Sequence, residues 1–292
     1  MRVIEVTQYG GPEVLRLTER PEPEAVAGRV RVRMHAGTVN PTDLDLRQGV
    51  LAALTPDLLI PFTVGWEIAG TVLDDAEGFT AGQRVIGLYP WLAEGTGEGT
   101  NAEVVLAAPG WLTPLPDGID WATAATIPMN SLTARQGLDL LTAQPGGTVL
   151  ITGASGGVGG FAVQIAARDG LNVIAVASAG DEDYVAGLGA KQVITRGEPL
   201  PTDVDAMFDP AVTRDLSPIR TGGRYVGVRA PALTSERDID TTVVFSAPDS
   251  AQLAELTSLR TRVADVLPIE RVAEAHTRTA AGGLRGKIVL AF

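Results

Sequence analysis

The sequence predicts an α/β protein in two parts: a doubly wound parallel sheet in the middle of the chain, and an antiparallel, barrel-like domain built from its two ends. Three observations predict it. The chain has 292 residues, more than one hydrophobic core readily organises. Between Thr148 and Phe245, short β-branched runs alternate with segments whose apolar residues recur at helical spacing. Up to Leu106, by contrast, short alternating runs are separated by Pro and Gly, as in an antiparallel sheet. The expected division is 1–119 with 250–292 for the barrel-like domain and 120–249 for the parallel sheet.

In the first part, strands are expected at Val3 to Thr7, Leu15 to Thr18, Val30 to His35, Ile68 to Leu73, Val85 to Leu88 and Ala102 to Leu106. The glycine-rich stretch Glu94 to Thr100 reads as a loop within that domain. The middle begins with Thr148 to Thr152, a β-branched run without polar alternation, as expected of a strand covered on both faces. From Val158, the residues Phe161, Ala162, Ile165 and Ala166 sit on one helical face; Gly170 ends the helix and Val173 to Ala177 is the next strand. Lys191 to Thr195, Val204 to Asp209, Gly223 to Val228 and Thr241 to Phe245 complete six strands, with a helix expected over Thr213 to Arg220. A helix near Ser250 to Leu259 follows, and Lys287 to Phe292 reads as a strand returning to the first domain.

Composition narrows the function classes. Hydrophobic residues make up 45% and charged residues 20%, ordinary for a globular enzyme. No apolar run reaches the roughly 18 residues that span a bilayer, and MRVIEVTQYGG lacks the apolar core of a secretory signal, so a cytoplasmic protein is expected. There is no cysteine, which removes disulfides, thiolate catalysis and cysteine-ligated metal. His35 and His276 are the only histidines; the first reads as structural and the second has no evident role. A formal charge of −12 argues against a nucleic-acid partner. Lysine occurs only at positions 191 and 287.

The strand–turn–helix at Thr148 to Ala177 carries the chemistry. Its turn holds Gly153, Gly156, Gly157, Gly159 and Gly160, five glycines in eight residues. A dinucleotide pyrophosphate sits against backbone N–H groups at a helix N-terminus, where a side chain would hold it away and the helix dipole favours negative charge. Gly153, Ser155, Gly156, Gly157, Val158 and Gly159 are therefore expected at the cofactor. The following strand ends at Ser178, where a site for NAD(H) would carry Asp or Glu. Serine can hydrogen-bond a 2′-phosphate without repelling it, so NADP(H) is favoured over NAD(H). Asp181, Glu182 and Asp183 lie close behind without a basic partner, and also suit a helix N-terminus.

The order of segments resembles the medium-chain dehydrogenase/reductase superfamily, in its quinone oxidoreductase (zeta-crystallin-like) branch. The likeness rests on Val39-Asn40-Pro41-Thr42-Asp43 followed by Arg47-Gln48-Gly49, and on Pro61 to Gly70 (PFTVGWEIAG). Ala124 to Pro128 leading to Leu132-Thr133-Ala134, the glycine turn, Gly222 to Val226, and Gly286-Lys287-Ile288-Val289-Leu290 continue it over nearly the whole chain. The resemblance implies a Rossmann-type sheet beside a GroES-like catalytic domain, with substrate in a cleft between them. Zinc enzymes of the superfamily carry Cys where this chain has Asn40, and His where Gly65-Trp66-Glu67 has Trp66. Neither replacement is a zinc ligand, so no zinc and no other metal is expected.

Without a Lewis acid, alcohol oxidation is demanding, whereas an electron-poor quinone or α,β-unsaturated carbonyl accepts a hydride directly from the cofactor. Asn40 is the first candidate for a polar contact beside nicotinamide and acceptor. Asp43 either orients Asn40 or a water, or caps a helix after Pro41. Thr133 resembles the family threonine beside the nicotinamide. Arg47 is either a substrate ligand or a structural ion-pair partner; Trp66, Tyr89 and Trp91 either line a pocket for a flat acceptor or pack the core. Strand-end logic and the resemblance together add Asp209, Gly227 and Phe245 to the cofactor site. The branch also implies a homodimer through the edge strand Thr241 to Phe245.

Two rivals stand beside this reading. A short-chain dehydrogenase would need a Tyr-x-x-x-Lys pair, which no tyrosine here supplies. A non-catalytic NADPH-binding redox sensor or structural protein is the alternative from a different class, and turnover of a small quinone panel separates it from an enzyme.

Overall fold

Alternating apolar residues at the start of the chain do form antiparallel strands. The computed structural model describes residues 1–292. They fall into two units, Met1–Pro128 with Pro248–Thr257 and Arg262–Phe292, and Met129–Ala247 with Ser258–Thr261. In the first unit, β1 (Arg2–Val6) pairs antiparallel with β2 (Leu15–Glu19). Strand β3 (Val30–Thr38) runs into helix α1 (Pro41–Gln48), and β4 (Phe62–Thr63) joins the other edge of β1. Then come β5 (Glu67–Val72), β6 (Arg84–Leu88), the short α2 (Trp91–Glu94), β7 (Val104–Ala107), β8 (Leu112–Pro114) and α3 (Trp121–Ala125). Strand β3 is the spine: it pairs antiparallel with β5 and with β7. Its burial alternates through His35 and then stays closed from Ala36 through Thr38, which carries the strand's end into the interior. Ile4, Val32, Phe62, Ile68 and Val85 are among its unit's core.

The second unit opens with α4 (Pro128–Leu141) and β9 (Thr148–Ile151), followed by α5 (Gly157–Arg168) and β10 (Asn172–Ala177). Helix α6 (Glu182–Ala186), β11 (Gln192–Thr195), β12 (Val204–Asp209), β13 (Ile219–Gly227) and β14 (Asp240–Val243) complete it. The six strands are parallel in the order β11-β10-β9-β12-β13-β14, a doubly wound sheet whose strand order reverses after β9. The central β9 and β12 are buried nearly throughout, as strands with helices on both faces must be. Gly137 lets α4 lie directly on β12, since a Cβ there would stand 2.4 Å from the Phe208 ring.

One expected helix is absent. Residues 213–218 are irregular and Ile219 already belongs to β13. Pro210 and Pro218 bracket the segment, and Val212 and Arg214 adopt positive φ (56° and 57°), which no α-helix accommodates.

The chain then returns to the first unit through α7 (Ser250–Leu256), β15 (Val263–Pro268), α8 (Val272–Ala281) and β16 (Lys287–Ala291). Strand β16 pairs antiparallel with β3, Val289 opposite Thr38, so the last residues of the chain close on the end of its spine. Helix α8 buries His276 completely, with no hydrogen-bond partner for either ring nitrogen. Burial, with help from the Arg47 guanidinium, pushes its pKa down to about 3. No helix is long and apolar enough to cross a membrane.

Candidate active site

The first unit gathers a buried polar network where β3 ends. Asn40 precedes Pro41, whose fixed φ suits the first position of α1, and Asp43 stands at the third position. The Asp43 carboxylate accepts the backbone N–H of Asn40 at 2.8 Å and that of Gly65 at 2.9 Å. It thereby ties the start of α1 to the Gly65-Trp66-Glu67 corner. That corner requires glycine: Gly65 has φ 104°, and a Cβ would stand 2.7 Å from both the Thr100 hydroxyl and the Asn101 side chain. Burial pushes Asp43 up to about 7, the two backbone donors and Lys287 opposing the rise and Glu67 adding to it.

Glu67 is fully buried and accepts from the Thr38 hydroxyl at 2.7 Å. The Asn40 side-chain N–H₂ donates to both of its oxygens at 3.0 Å. On the other side, the Lys287 ammonium donates to Asn40 Oδ1 at 2.6 Å and to the Val39 carbonyl at 2.9 Å. Burial raises Glu67, and Lys287 opposes that rise; burial lowers Lys287, and the two carboxylates oppose it. The carboxamide of Asn40 is thus held between a cation and an anion, with the orientation of its O and N fixed by chemistry.

The other residues expected near substrate lie in the same unit and serve several roles. Trp91 is sealed between Phe62 (6.1 Å between ring centroids) and the half-buried Trp66 (5.4 Å). Arg47 is 1% exposed, and its guanidinium donates to the Gly10 carbonyl at 2.7 Å, with no carboxylate paired to it. The ion pair considered for it is therefore not formed. Tyr89 packs on Trp111 and borders a cavity of about 510 Å³ whose wall includes Arg20, Arg29, Glu94 and Glu98. His35 stacks on Trp121 and hydrogen-bonds Thr71 at 2.9 Å, a structural setting. No three His, Cys, Asp or Glu side chains come together as a metal-holding group.

The second unit presents the glycine turn at the end of β9. Gly153 has φ 61°, and a Cβ on Gly159 would stand 2.2 Å from the Gly153 carbonyl, so both positions need glycine for the turn to close on its helix. Gly156 differs: it is exposed, a Cβ there would meet only the Gly153 carbonyl at 3.3 Å, and it begins α5 with no side-chain cap. Uncapped N–H groups at the start of a 12-residue helix fit a bound pyrophosphate. Val158 lies in that first turn, and Gly157 abuts the Asn130 side chain. Ser155 Oγ accepts the Ser178 N–H at 2.8 Å, joining the turn to the end of β10.

Asp209, fully buried at the end of β12, accepts from the hydroxyls of Thr152, Thr213 and Tyr225 and from the Arg214 N–H. It therefore organises the strand ends, and the Tyr225 hydroxyl lies against Gly227 as well, 3.1 Å from where a Cβ would be. Phe245 is 78% exposed just past β14, and Thr133 is nearly buried on α4.

Two residues escaped the sequence reading. Lys287 was visible only as part of a terminal motif, although it is one of two lysines. Arg196 lies beyond β11; its N–H binds the Ala177 carbonyl at 2.8 Å, and its exposed guanidinium has no hydrogen bond or ion pair. The neighbouring Glu182 is occupied, accepting from the Gly180 N–H and the Thr195 hydroxyl. The pairing of β10 with β11 thus brings the backbone of a basic residue to the end of β10.

Residues 26–117 match the alcohol dehydrogenase GroES-like domain. A quinone oxidoreductase of Homo sapiens is 30% identical over 329 aligned positions, covering 99% of this chain and 97% of the relative. The chain belongs to the quinone oxidoreductase branch of the medium-chain dehydrogenase/reductase superfamily. Solved structures agree on the fold: the quinone oxidoreductase from Coxiella burnetii superposes with a TM-score of 0.88 at 26% identity, covering 100% of this chain and 99% of that one. An NAD-dependent alcohol dehydrogenase superposes with a TM-score of 0.84 at 28% identity, covering 100% of both. The family is one of oxidoreductases that use nicotinamide cofactors.

Proposed function

We propose that this chain transfers a hydride from NADPH to a quinone or an α,β-unsaturated carbonyl compound, without zinc. The observation that carries the reading is the uncapped start of α5 behind the Gly153 turn, a cradle for pyrophosphate with Ser178 and Arg196 beside it. Serine and a free guanidinium at the adenosine end suit a 2′-phosphate, which favours NADP(H) over NAD(H). When bound, the cofactor supplies the hydride.

In this reading the protein's residues bind, orient and neutralise. Gly153 to Gly159 hold the pyrophosphate, Asp209 fixes the strand ends around Gly227, and Thr133 and Phe245 border the nicotinamide. Asn40 borders the acceptor, held rigid by its network, and Asp43 keeps the Asn40 and Gly65 backbones in place. Trp66 and Tyr89 contribute flat surface for an aromatic acceptor, backed by Trp91 and Arg47 from the interior. Asn40 and Trp66 at the positions where zinc relatives carry ligands support the zinc-free mechanism. The reading takes the protein as a cytoplasmic homodimer joined through the edge of β14; sedimentation as a monomer would overturn that part.

The test is loss of NADPH absorbance with 1,4-benzoquinone, 9,10-phenanthrenequinone and a simple enone, with NADH in parallel and chelator throughout. Chelator-resistant oxidation that needs both protein and acceptor is expected, faster with NADPH. Tight NADPH binding without turnover of any acceptor would remove the catalytic reading.

A further inference from the structure

The Asn40 network contains more charge than a structural cap requires. Two carboxylates, Asp43 and Glu67, are fully buried within one set of hydrogen bonds, and the cation facing them is Lys287. Lys287 comes from the last strand of the chain, 247 residues from Asn40, so the contact exists only because β16 pairs with β3. Its ammonium has two identified acceptors, the Val39 carbonyl and Asn40 Oδ1. Asn40 in turn presents its N–H₂ to Glu67, whose remaining partner is the Thr38 hydroxyl.

A carboxamide between two like partners could flip, exchanging O and N. Between an ammonium and a carboxylate it cannot flip without putting N–H₂ against the ammonium and C=O against the carboxylate. We propose that Lys287 is a positioning residue: it fixes the orientation of Asn40 and supplies, from within the chain, a positive charge across Asn40 from the buried Glu67. The proposal rests on the reading that Asn40 borders the acceptor, and it assigns to a lysine at the C-terminal end of the chain a part in the rate of hydride transfer.

The experiment is a double-mutant cycle of Lys287→Gln and Asn40→Ala, with Lys287→Arg as the conservative variant, each followed by kcat and KM for NADPH and the best acceptor. Lys287→Gln is expected to lower kcat about tenfold or more while leaving the KM for NADPH within about twofold, because it disturbs orientation and not cofactor binding. Lys287→Arg, which can donate to both acceptors, is expected to recover most of the rate. In the Asn40→Ala background, Lys287→Gln is expected to add little, since the group it positions is gone.

Additive losses in the cycle, or an unchanged kcat in Lys287→Gln, would overturn the proposal. An independent readout is the side-chain ¹⁵N–H₂ resonance of Asn40, expected to shift and broaden in Lys287→Gln and to stay sharp in Lys287→Arg. An unchanged resonance in a folded Lys287→Gln would also overturn it. An inactive wild-type protein would remove the reductase reading, and the resonance would still decide whether Lys287 holds Asn40. If Lys287→Gln does not fold, Lys287→Arg and the Asn40→Ala pair carry the test, and loss of rate in Lys287→Arg without loss of the Asn40 resonance position would sink it.

Discussion

The Asn40 network and the glycine turn treat polar groups in opposite ways. In the first unit the charged side chains around Asn40 are turned inward and matched: Asp43 to two backbone donors, Glu67 to a hydroxyl and an amide, Lys287 to an amide and a carbonyl. In the second unit the start of α5 is left without a cap, and Arg196 without a partner. The contrast separates orientation from recognition. A network closed on itself holds one side chain still, and its loss appears as instability. An open set of donors costs the apo protein little, and its loss appears in ligand affinity.

The sharpest way to break that contrast is Asp43→Ala. Two buried N–H groups would lose their acceptor, at about 1–3 kcal/mol each, so urea unfolding should show a loss of about 2–6 kcal/mol. A loss below about 1 kcal/mol would mean that the network is not what holds the corner at Gly65. Gly156→Asp is the opposite case. Its backbone φ of −90° accommodates a side chain, and only the Gly153 carbonyl, 3.3 Å from where a Cβ would stand, must give slightly, so the melting temperature should fall little. A carboxylate beside the pyrophosphate should nevertheless weaken NADPH binding by about 2 kcal/mol, roughly thirtyfold, by fluorescence titration. Unchanged affinity would remove the nucleotide from this turn.

Acid stability tests a buried group outside both regions. His276, held down to about 3, stays neutral in the folded chain while the unfolded chain takes up a proton near 6.5. The stability it confers is therefore present above pH 6.5 and is lost as pH falls toward 3, at about 1.4 kcal/mol per pH unit. Asp43, pushed up to about 7, acts in the other sense: the folded chain keeps a proton that the unfolded chain releases from about 3.8, so this group's contribution falls as pH rises through that interval. His276→Leu should flatten the acid limb by about 2 kcal/mol between pH 6.5 and pH 5. An unaltered slope would show that the buried ring titrates normally.

The smallest effect is expected from Arg196→Gln. It should weaken NADPH binding about tenfold and leave NADH binding unchanged, closing the gap between the two cofactors. Equal losses for both would assign Arg196 a general electrostatic part and leave Ser178 as the only reader of the 2′-phosphate.

Much of this was legible beforehand for identifiable reasons. The parallel sheet could be read because strands covered on both faces must be apolar throughout, and Val149 to Ile151 and Ala206 to Phe208 are. The helix expected at Thr213 was misread because apolar spacing alone cannot register the positive φ at Val212 and Arg214. Asp43 was read as either a cap or an orienting group; one oxygen takes the Asn40 N–H as a cap and the other takes the Gly65 N–H. The aromatic residues were left between pocket and core; Trp91 is core, and Tyr89 belongs to the same buried core while also bordering a cavity.

By itself, then, the sequence determined the local features: most strands of the parallel sheet, the glycine turn, the absence of cysteine, and Asn40 and Trp66 where zinc relatives carry ligands. Each depends on residues within a few positions of one another, or on a residue type that is missing. Only the tertiary structure decided the partners of those residues. Lys287 reaches Asn40 because β16 pairs with β3, and Arg196 reaches the end of β10 because β11 lies beside it. Charge pairing acts over a few ångströms of space and is indifferent to distance along the chain, so it becomes visible only once the sheets have set the register.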